Sequence, residues 1–171
     1  MKLIGSLLVI VATTLMGAYY SNQYKMRIKS LLEMYRMLQM LSGEIEFSRG
    51  VLGESFLRLG NRVAKEYQVF LQQLSYRLAE GNGQTLEENW KQAVEEHLHI
   101  TYLTKEDYDL FISLGEQLGY LDYEMELKTI SMYMDRLQLK ISNLEKEMTT
   151  KCKLYHTLGI ASGCLFVLFI I

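Results

Sequence analysis

Residues 122–158, DYEMELKTISMYMDRLQLKISNLEKEMTTKCKLYHTL, carry the most regular pattern in the chain. Apolar residues recur there at steps of four and three positions, which is the spacing of a coiled-coil seam. The seam consists of Ile130, Met134, Leu137, Ile141, Leu144, Met148 and Tyr155, and Lys151 interrupts it once. No glycine or proline lies between Asp122 and Leu158, so the stretch predicts one long helix.

Uncharged apolar runs lie at both ends of the chain, at 3–20 and at 158–171. Each approaches the ~20 residues that cross a ~30 Å hydrocarbon core. We therefore predict transmembrane helices at 1–22 and 154–171, with the long last helix continuous with the second span. A cleaved signal peptide is the alternative for the first segment, although no A-x-A site closes it.

Basic residues flank both predicted spans on the side of the central region. The topology anchors that we predict are Lys25, Arg27, Lys29, Lys151 and Lys153. The opposite side has a single lysine, Lys2. Because cytoplasmic loops carry the excess of Lys and Arg, this bias predicts a two-pass protein of the cell membrane whose central region, 23–153, faces the cytoplasm.

The central region is predicted to form helices throughout, because the chain has no proline and no sustained alternation of apolar and polar residues of the kind that β-strands show. The first helix carries an apolar seam from Tyr24 to Ile45 and ends near SRGVLG, residues 48–53. Two short helices follow. One contains Leu52, Phe56, Leu59 and Val63, and the other contains Phe70, Leu71, Leu74 and Leu78 and stops at the glycines of 81–83. Two further helices begin at the capping boxes TLEE, residues 85–88, and TKED, residues 104–107. Gly119 suits the end of the second of these. The predicted fold class is all-α: a six-helix cytoplasmic bundle between two transmembrane helices.

Catalytic and ligand-binding patterns are scarce. His97 and His99 are two residues apart, which directs them to different sides of a helix, so they form a weak metal pair even with Glu95 and Glu96 nearby. Glu44 and its neighbour Glu46 are typical of a solvated face. No phosphate-binding glycine motif is present. We predict no catalytic residue, no cofactor and no metal, and the chain is predicted not to be an enzyme.

The central region is acidic and rich in methionine. It holds 17 of the 18 basic residues and all 20 acidic ones, which excludes a nucleic-acid partner by electrostatics. Small-molecule substrates are not predicted either. Methionines such as Met34, Met37, Met125 and Met132 fill core gaps more often than they line partner grooves. The partner-binding residues are therefore left unassigned.

Four ordered segments carry a resemblance to a known family. They are LLEMYRMLQMLSGEIEFSRGVLGESFLRLG at 31–60, ENWKQAV at 88–94, LTKEDYDLFISLGEQLGYLD at 103–122 and KLYHTLGIASG at 153–163. Together with the apolar ends, they make the chain similar to the stage III sporulation protein AB family of endospore-forming bacteria. The resemblance covers essentially the whole chain.

The resemblance implies a non-enzymatic platform in the secretion-like channel complex that joins the mother cell to the forespore. It implies a helical domain similar to that of the inner-membrane platform protein of type II secretion and type IV pilus systems. The implied partners are a secretion-type ATPase, stage III sporulation protein AA, other membrane components of the channel, and lipid of the mother-cell membrane around the forespore. The alternative is a two-span sensor or scaffold with an extracytoplasmic helical bundle.

Overall fold

The computed structural model describes residues 2–48, 52–81, 83–119 and 122–170, and every regular element in these ranges is an α-helix. The helices are α1 (Lys2–Ser48), α2 (Leu52–Gly60), α3 (Lys65–Glu80), α4 (Leu86–His97), α5 (Lys105–Gln117) and α6 (Tyr123–Ile170). The all-α prediction and the prediction of six helices are confirmed. The long last helix is also confirmed, since α6 continues without interruption through the predicted seam.

The chain divides into two compact units. The central unit, Ser30–Leu139, contains α2 to α5 and the adjoining parts of α1 and α6. The terminal unit, Met1–Lys29 with Lys140–Ile171, brings the beginning of α1 together with the end of α6. The predicted division at residues 23 and 153 follows a membrane boundary instead of contacts within the protein, and it stays a prediction.

The core of the central unit is built around Trp90 of α4. Its ring centroid lies 5.9 Å from Phe56 on α2, 5.1 Å from Phe70 on α3 and 5.0 Å from Phe111 on α5. All four rings are buried. The indole Nε1 donates a hydrogen bond of 3.0 Å to the Phe111 carbonyl, so the polar atom of the ring is satisfied. One side chain thus joins four helices.

Two glycines allow close approach of α4 and the end of α5. A Cβ added to Gly115 would lie 2.1 Å from Cγ of Trp90, so only glycine lets the indole pack against this helix. Gly119 follows the C-cap residue Leu118 with φ +91, the left-handed conformation that glycine adopts without strain. A Cβ there would also meet Leu86 at 2.7 Å. The predicted helix end near Gly119 is confirmed.

The long helices are tied to this core by buried tyrosines. Tyr67 of α3 donates a 3.4 Å hydrogen bond to the Ser30 carbonyl of α1. Its burial raises the pKa of the phenol far above the ordinary value. Tyr133 of α6 donates a 3.0 Å hydrogen bond to Oγ of Ser113 on α5. Each tyrosine therefore keeps its hydroxyl paired while its ring fills the core.

Both predicted capping boxes are present. At the start of α4, the Glu88 amide donates to Thr85 Oγ1 at 3.2 Å, and the Thr85 amide donates to the Glu88 carboxylate at 3.0 Å. At the start of α5, the Asp107 carboxylate accepts 2.9 Å hydrogen bonds from the amide and the hydroxyl of Thr104. A local sequence signal thus locates both helix starts to the residue.

Of the predicted seam on α6, four members are buried: Ile130, Leu137, Ile141 and Leu144. Met134 and Met148 are half-buried, and the side chain of Tyr155 lies outside the described part of the structure. Tyr133 is not a member of the predicted seam, yet it is buried beside it.

The predicted end of one short helix was wrong. The helix predicted at 52–63 ends at Gly60, and buried Val63 lies in the following connection, where Arg62 closes a turn onto the Leu59 carbonyl. The helix predicted to contain Phe70 and Leu78 ends at the C-cap Gly81, as predicted, and it begins at Lys65. Ala64 provides no side-chain cap there, so no local signal announces this start.

The described residues do not test the predicted membrane spans. Among the described residues, no helix is long and apolar enough to cross a membrane. Most side chains of 1–22, and all those of 154–171, lie outside what the structure describes.

Candidate interaction surfaces

A polar contact links the two helical segments of the terminal unit. Lys151 of α6 donates a hydrogen bond to the hydroxyl of Tyr24 on α1, 127 residues away in sequence. Its Nζ also lies 3.3 Å from Oε2 of Glu147, one turn earlier on α6. The hydrogen bond to Tyr24 and that to Glu147 both raise the pKa of Lys151. The contact sets residue 24 of α1 at the level of residue 151 of α6.

The predicted topology anchors lie close to this contact. Lys25 and Lys29 are exposed, and Lys151 is exposed beside Tyr24. Arg27 is half-buried and engaged in contacts of its own. The side chain of Lys153 is outside the described part. The structure thus brings anchors from both ends of the sequence to one end of the terminal unit, which their sequence numbers alone did not establish.

Formal charge separates the two units sharply. The central unit contains 18 acidic and 10 basic residues, a formal charge of −8. The terminal unit contains 2 acidic and 8 basic residues, a formal charge of +6. The net charge of −2 for the whole chain conceals this division. Two units of opposite sign are suited to partners of opposite sign.

Four arginines of the central unit are paired with carboxylates inside the same unit: Arg36, Arg58, Arg62 and Arg77. Glu44 of α1 accepts from Arg58 Nε at 3.0 Å and from Arg62 Nη1 at 2.6 Å. Its side chain is only 11% exposed. The interpretation of Glu44 as part of a solvated face was therefore wrong: it joins α1 to the α2 region. Glu46, by contrast, is exposed as predicted.

His97 and His99, which the sequence assigns to ordinary solvated surface, do not share a set of ligating groups within the described residues. His99 is exposed, and the carboxylate of Glu96 is taken by Arg77, whose Nη2 lies 2.5 Å from Oε2. Glu96 Oε2 also lies 3.6 Å from His97 Nε2. Within the described ranges, no group of three or more His, Cys, Asp or Glu residues is arranged to hold a metal ion. This corner of the molecule is a contact between α3 and α4.

Methionines divide into two classes that composition could not distinguish. Met34 and Met37 on α1 are buried and fill the core. On α6, Met125 and Met132 are 48% and 38% exposed, and Leu139 is 65% exposed. These three residues are spaced by seven, so they lie on one face of the helix. We call this face the α6 stripe; it is the kind of surface that a partner helix or groove covers.

The start of α6 carries a buried carboxyl group. Glu126 is buried, and burial raises its pKa, while a hydrogen bond with the backbone of Gly119 acts in the opposite direction. The nearby charge of Asp122 adds to the rise. The group is explained by its contact with the end of α5, which joins α6 to the core.

These features define an all-helical protein with an acidic central unit, a basic terminal unit and an exposed apolar stripe. Comparison with known proteins adds the family. The family model described as stage III sporulation protein AB matches residues 2–171. The chain belongs to the stage III sporulation protein AB family.

Individual relatives agree with this assignment. The chain is 24% identical over 168 residues to stage III sporulation protein AB of Bacillus subtilis (strain 168), covering 98% of each sequence. A solved structure of a stage III sporulation protein AB has a TM-score of 0.63 at 20% identity, over 72% of this chain and 97% of that one. That likeness shows the helical fold. The family name denotes a sporulation protein and specifies no enzymatic activity.

Proposed function

We propose that the protein is a non-enzymatic membrane platform of the channel complex between mother cell and forespore. Spans at 1–22 and 154–171 anchor it in the mother-cell membrane around the forespore, and the helical bundle faces the cytoplasm. There it docks a secretion-type ATPase, stage III sporulation protein AA. Membership of a sporulation family supports the process, and the geometry of the terminal unit supports the anchoring.

The hydrogen bond between Tyr24 and Lys151 is the observation that carries the proposal. Tyr24 lies two residues after the predicted end of the first span, and Lys151 lies three residues before the predicted start of the second. At a rise of about 1.5 Å per residue, both predicted boundaries fall within about 5 Å of this contact. Two helices that leave the bundle at one level suit a hairpin that enters a single membrane face.

The distribution of charge supports the orientation. Lys25, Lys29 and Lys151 lie on the bundle side of the predicted boundaries, where the positive-inside rule expects them in a cytoplasmic domain. An extracytoplasmic sensor would place the same lysines on the disfavoured side. The cytoplasmic platform is therefore the orientation that we propose.

The α6 stripe is the docking surface that we propose for the ATPase. Met125, Met132 and Leu139 offer adaptable apolar contact within a unit whose formal charge is −8. Parallel pairing with a second copy would oppose Lys128 to Lys128 and Asp135 to Asp135, which is unfavourable. A basic surface on a different protein complements this face instead.

Copurification from sporulating cells tests the docking. The amount of ATPase that copurifies with a Met132→Lys/Leu139→Lys variant should be at least tenfold lower than with the native protein, because two charges would enter an apolar contact. The matched control is Leu57→Lys/Val69→Lys, which adds the same charges at exposed apolar positions on α2 and α3. Equal recovery with both variants, or no ATPase with the native protein, would contradict the proposal.

A further inference from the structure

Three lysines of the terminal unit differ from the paired arginines of the central unit, because no carboxylate among the described residues is bound to them. Within the described part of the chain, the ammonium groups of Lys25, Lys29 and Lys146 are exposed and have no hydrogen bond or ion pair. Glu147 is paired with Lys151, and Glu145 is the other acidic residue of this unit. The positive charge of the unit is therefore not neutralised internally.

These lysines form a narrow band along the two helices. Lys25 directly follows Tyr24, so it lies at the level of the contact with Lys151. Lys29 and Lys146 are each five residues from that contact, on the side away from the chain ends, or about 7.5 Å along the axes. A bilayer headgroup layer is about 5–7 Å thick on each side of the hydrocarbon core. The length of the band along the helix axes is thus close to the thickness of one headgroup layer.

We propose that Lys25, Lys29 and Lys146 bind the phosphate groups of anionic phospholipids, and we call these residues the lysine band. This inference rests on the proposed membrane anchoring and goes beyond it by assigning lipid selectivity to three side chains. Flexible ammonium groups on long stems reach headgroup phosphates while the helix stays in place. A juxtamembrane lysine favours association with an anionic surface by about fivefold.

Reconstitution of the full chain with spin-labelled lipids tests the proposal. The spectra measure how strongly the protein retains phosphatidylglycerol relative to phosphatidylcholine. The native chain should prefer phosphatidylglycerol by about fivefold at low salt, and less at high salt because ions screen the contact. Lys25→Gln/Lys29→Gln/Lys146→Gln should lower the preference at least twofold, with the remaining selectivity due to the basic residues that the variant keeps.

The matched control removes the same charge elsewhere. Lys65→Gln/Lys91→Gln/Lys105→Gln changes three exposed lysines of the central unit and should keep the preference. No preference in the native chain, or equal loss in both variants, would overturn the lysine band. So would a band variant that keeps lipid selectivity but loses a copurified protein, since the lysines would then serve an acidic protein partner.

Extraction with alkaline carbonate before reconstitution separates this inference from the proposed function. Release of the native chain from membranes would contradict the anchoring and the lysine band together. Retention of the chain without a preference for phosphatidylglycerol would overturn the lysine band alone and leave the platform in place.

Discussion

In the central unit, four aromatic rings from four helices meet at Trp90, and polar groups such as Glu44 are drawn into contacts between helices. In the terminal unit, exposed Lys151 of α6 donates a hydrogen bond to the hydroxyl of half-buried Tyr24 on α1. A cluster of buried rings supplies stability in water, whereas an exposed polar contact supplies little. Of these two described contacts, the ring cluster therefore contributes far more to the free energy of unfolding than the hydrogen bond between Lys151 and Tyr24.

The largest effect should come from Gly115, on which the packing of Trp90 depends. Gly115→Ala places a Cβ 2.1 Å from the indole and should destabilise the central unit by about 3 kcal/mol, because neither helix can yield without opening the core. Thermal unfolding followed by the fluorescence of the single tryptophan measures this change.

Gly43 provides the control for that substitution. A Cβ at Gly43 meets nothing within 4 Å, so Gly43→Ala should stabilise the helix slightly, by about 0.5–1 kcal/mol. Similar unfolding curves for both variants would show that the close contact of Gly115 with Trp90 does not govern stability.

A smaller effect is expected at Glu44. Glu44→Gln leaves Arg58 and Arg62 without their shared carboxylate and should cost about 1 kcal/mol, a value limited by the exposure of both arginines. Chemical denaturation measures it. Glu46→Gln, at an exposed position, should change nothing. If both substitutions had the same effect, the contact between α1 and α2 would be of no consequence.

The buried carboxyl of Glu126 should make the stability of the central unit depend on pH. Its pKa is raised above the ordinary value of 4.5, so the folded state binds the proton more tightly than the unfolded state. The contribution of Glu126 to the free energy of unfolding is therefore fully present below pH 4.5, and it is lost as the pH rises through the raised pKa.

Glutamine removes this dependence because it stays neutral. Glu126→Gln should therefore be more stable than the native chain at pH 7, by less than about 1 kcal/mol, and equal to it at pH 4. Denaturant unfolding at both pH values measures the difference. A variant that is less stable at pH 7 would show that the charged carboxylate, held by Gly119, stabilises the fold.

The smallest effect tests whether the two regions are independent. Tyr24→Phe removes the hydroxyl that accepts from Lys151, keeps the contact of Lys151 with Glu147, and leaves the central unit intact. The unfolding midpoint reported by Trp90 should therefore move by less than about 1 °C. A shift of several degrees would mean that the contact in the terminal unit also stabilises the core, and the comparison between the two regions would fail.

Features encoded by neighbouring residues could be predicted from the sequence, and those created by packing could not. The capping boxes at Thr85 and Thr104 depend on fixed spacing and are confirmed. The seam on α6 depends on fixed spacing too, and four of its seven residues are buried. The close approach of Gly115 to Trp90 joins residues 25 apart, and no local pattern marks it. Tertiary contacts decide such positions.

The candidate surfaces follow the same rule. The basic residues near the chain ends were evident from composition, but their meeting at one level depends on Tyr24 and Lys151 coming together. The formal charge of −8 on the central unit could be counted only once the limits of that unit were known. Met34 and Met125 are chemically alike, and only burial separates a core residue from an exposed one.

Thiol labelling tests the central claim, that two spans hold the central unit in the cytoplasm, most directly. A Cys164→Ser chain keeps Cys152 on the bundle side of the second predicted span, and a Lys2→Cys chain without native cysteines reports the other side. In growing cells that produce each chain, an impermeant thiol reagent should label position 2 in intact cells and Cys152 only after lysis. Labelling of Cys152 in intact cells would contradict the account, place the bundle outside, and favour the extracytoplasmic sensor or scaffold.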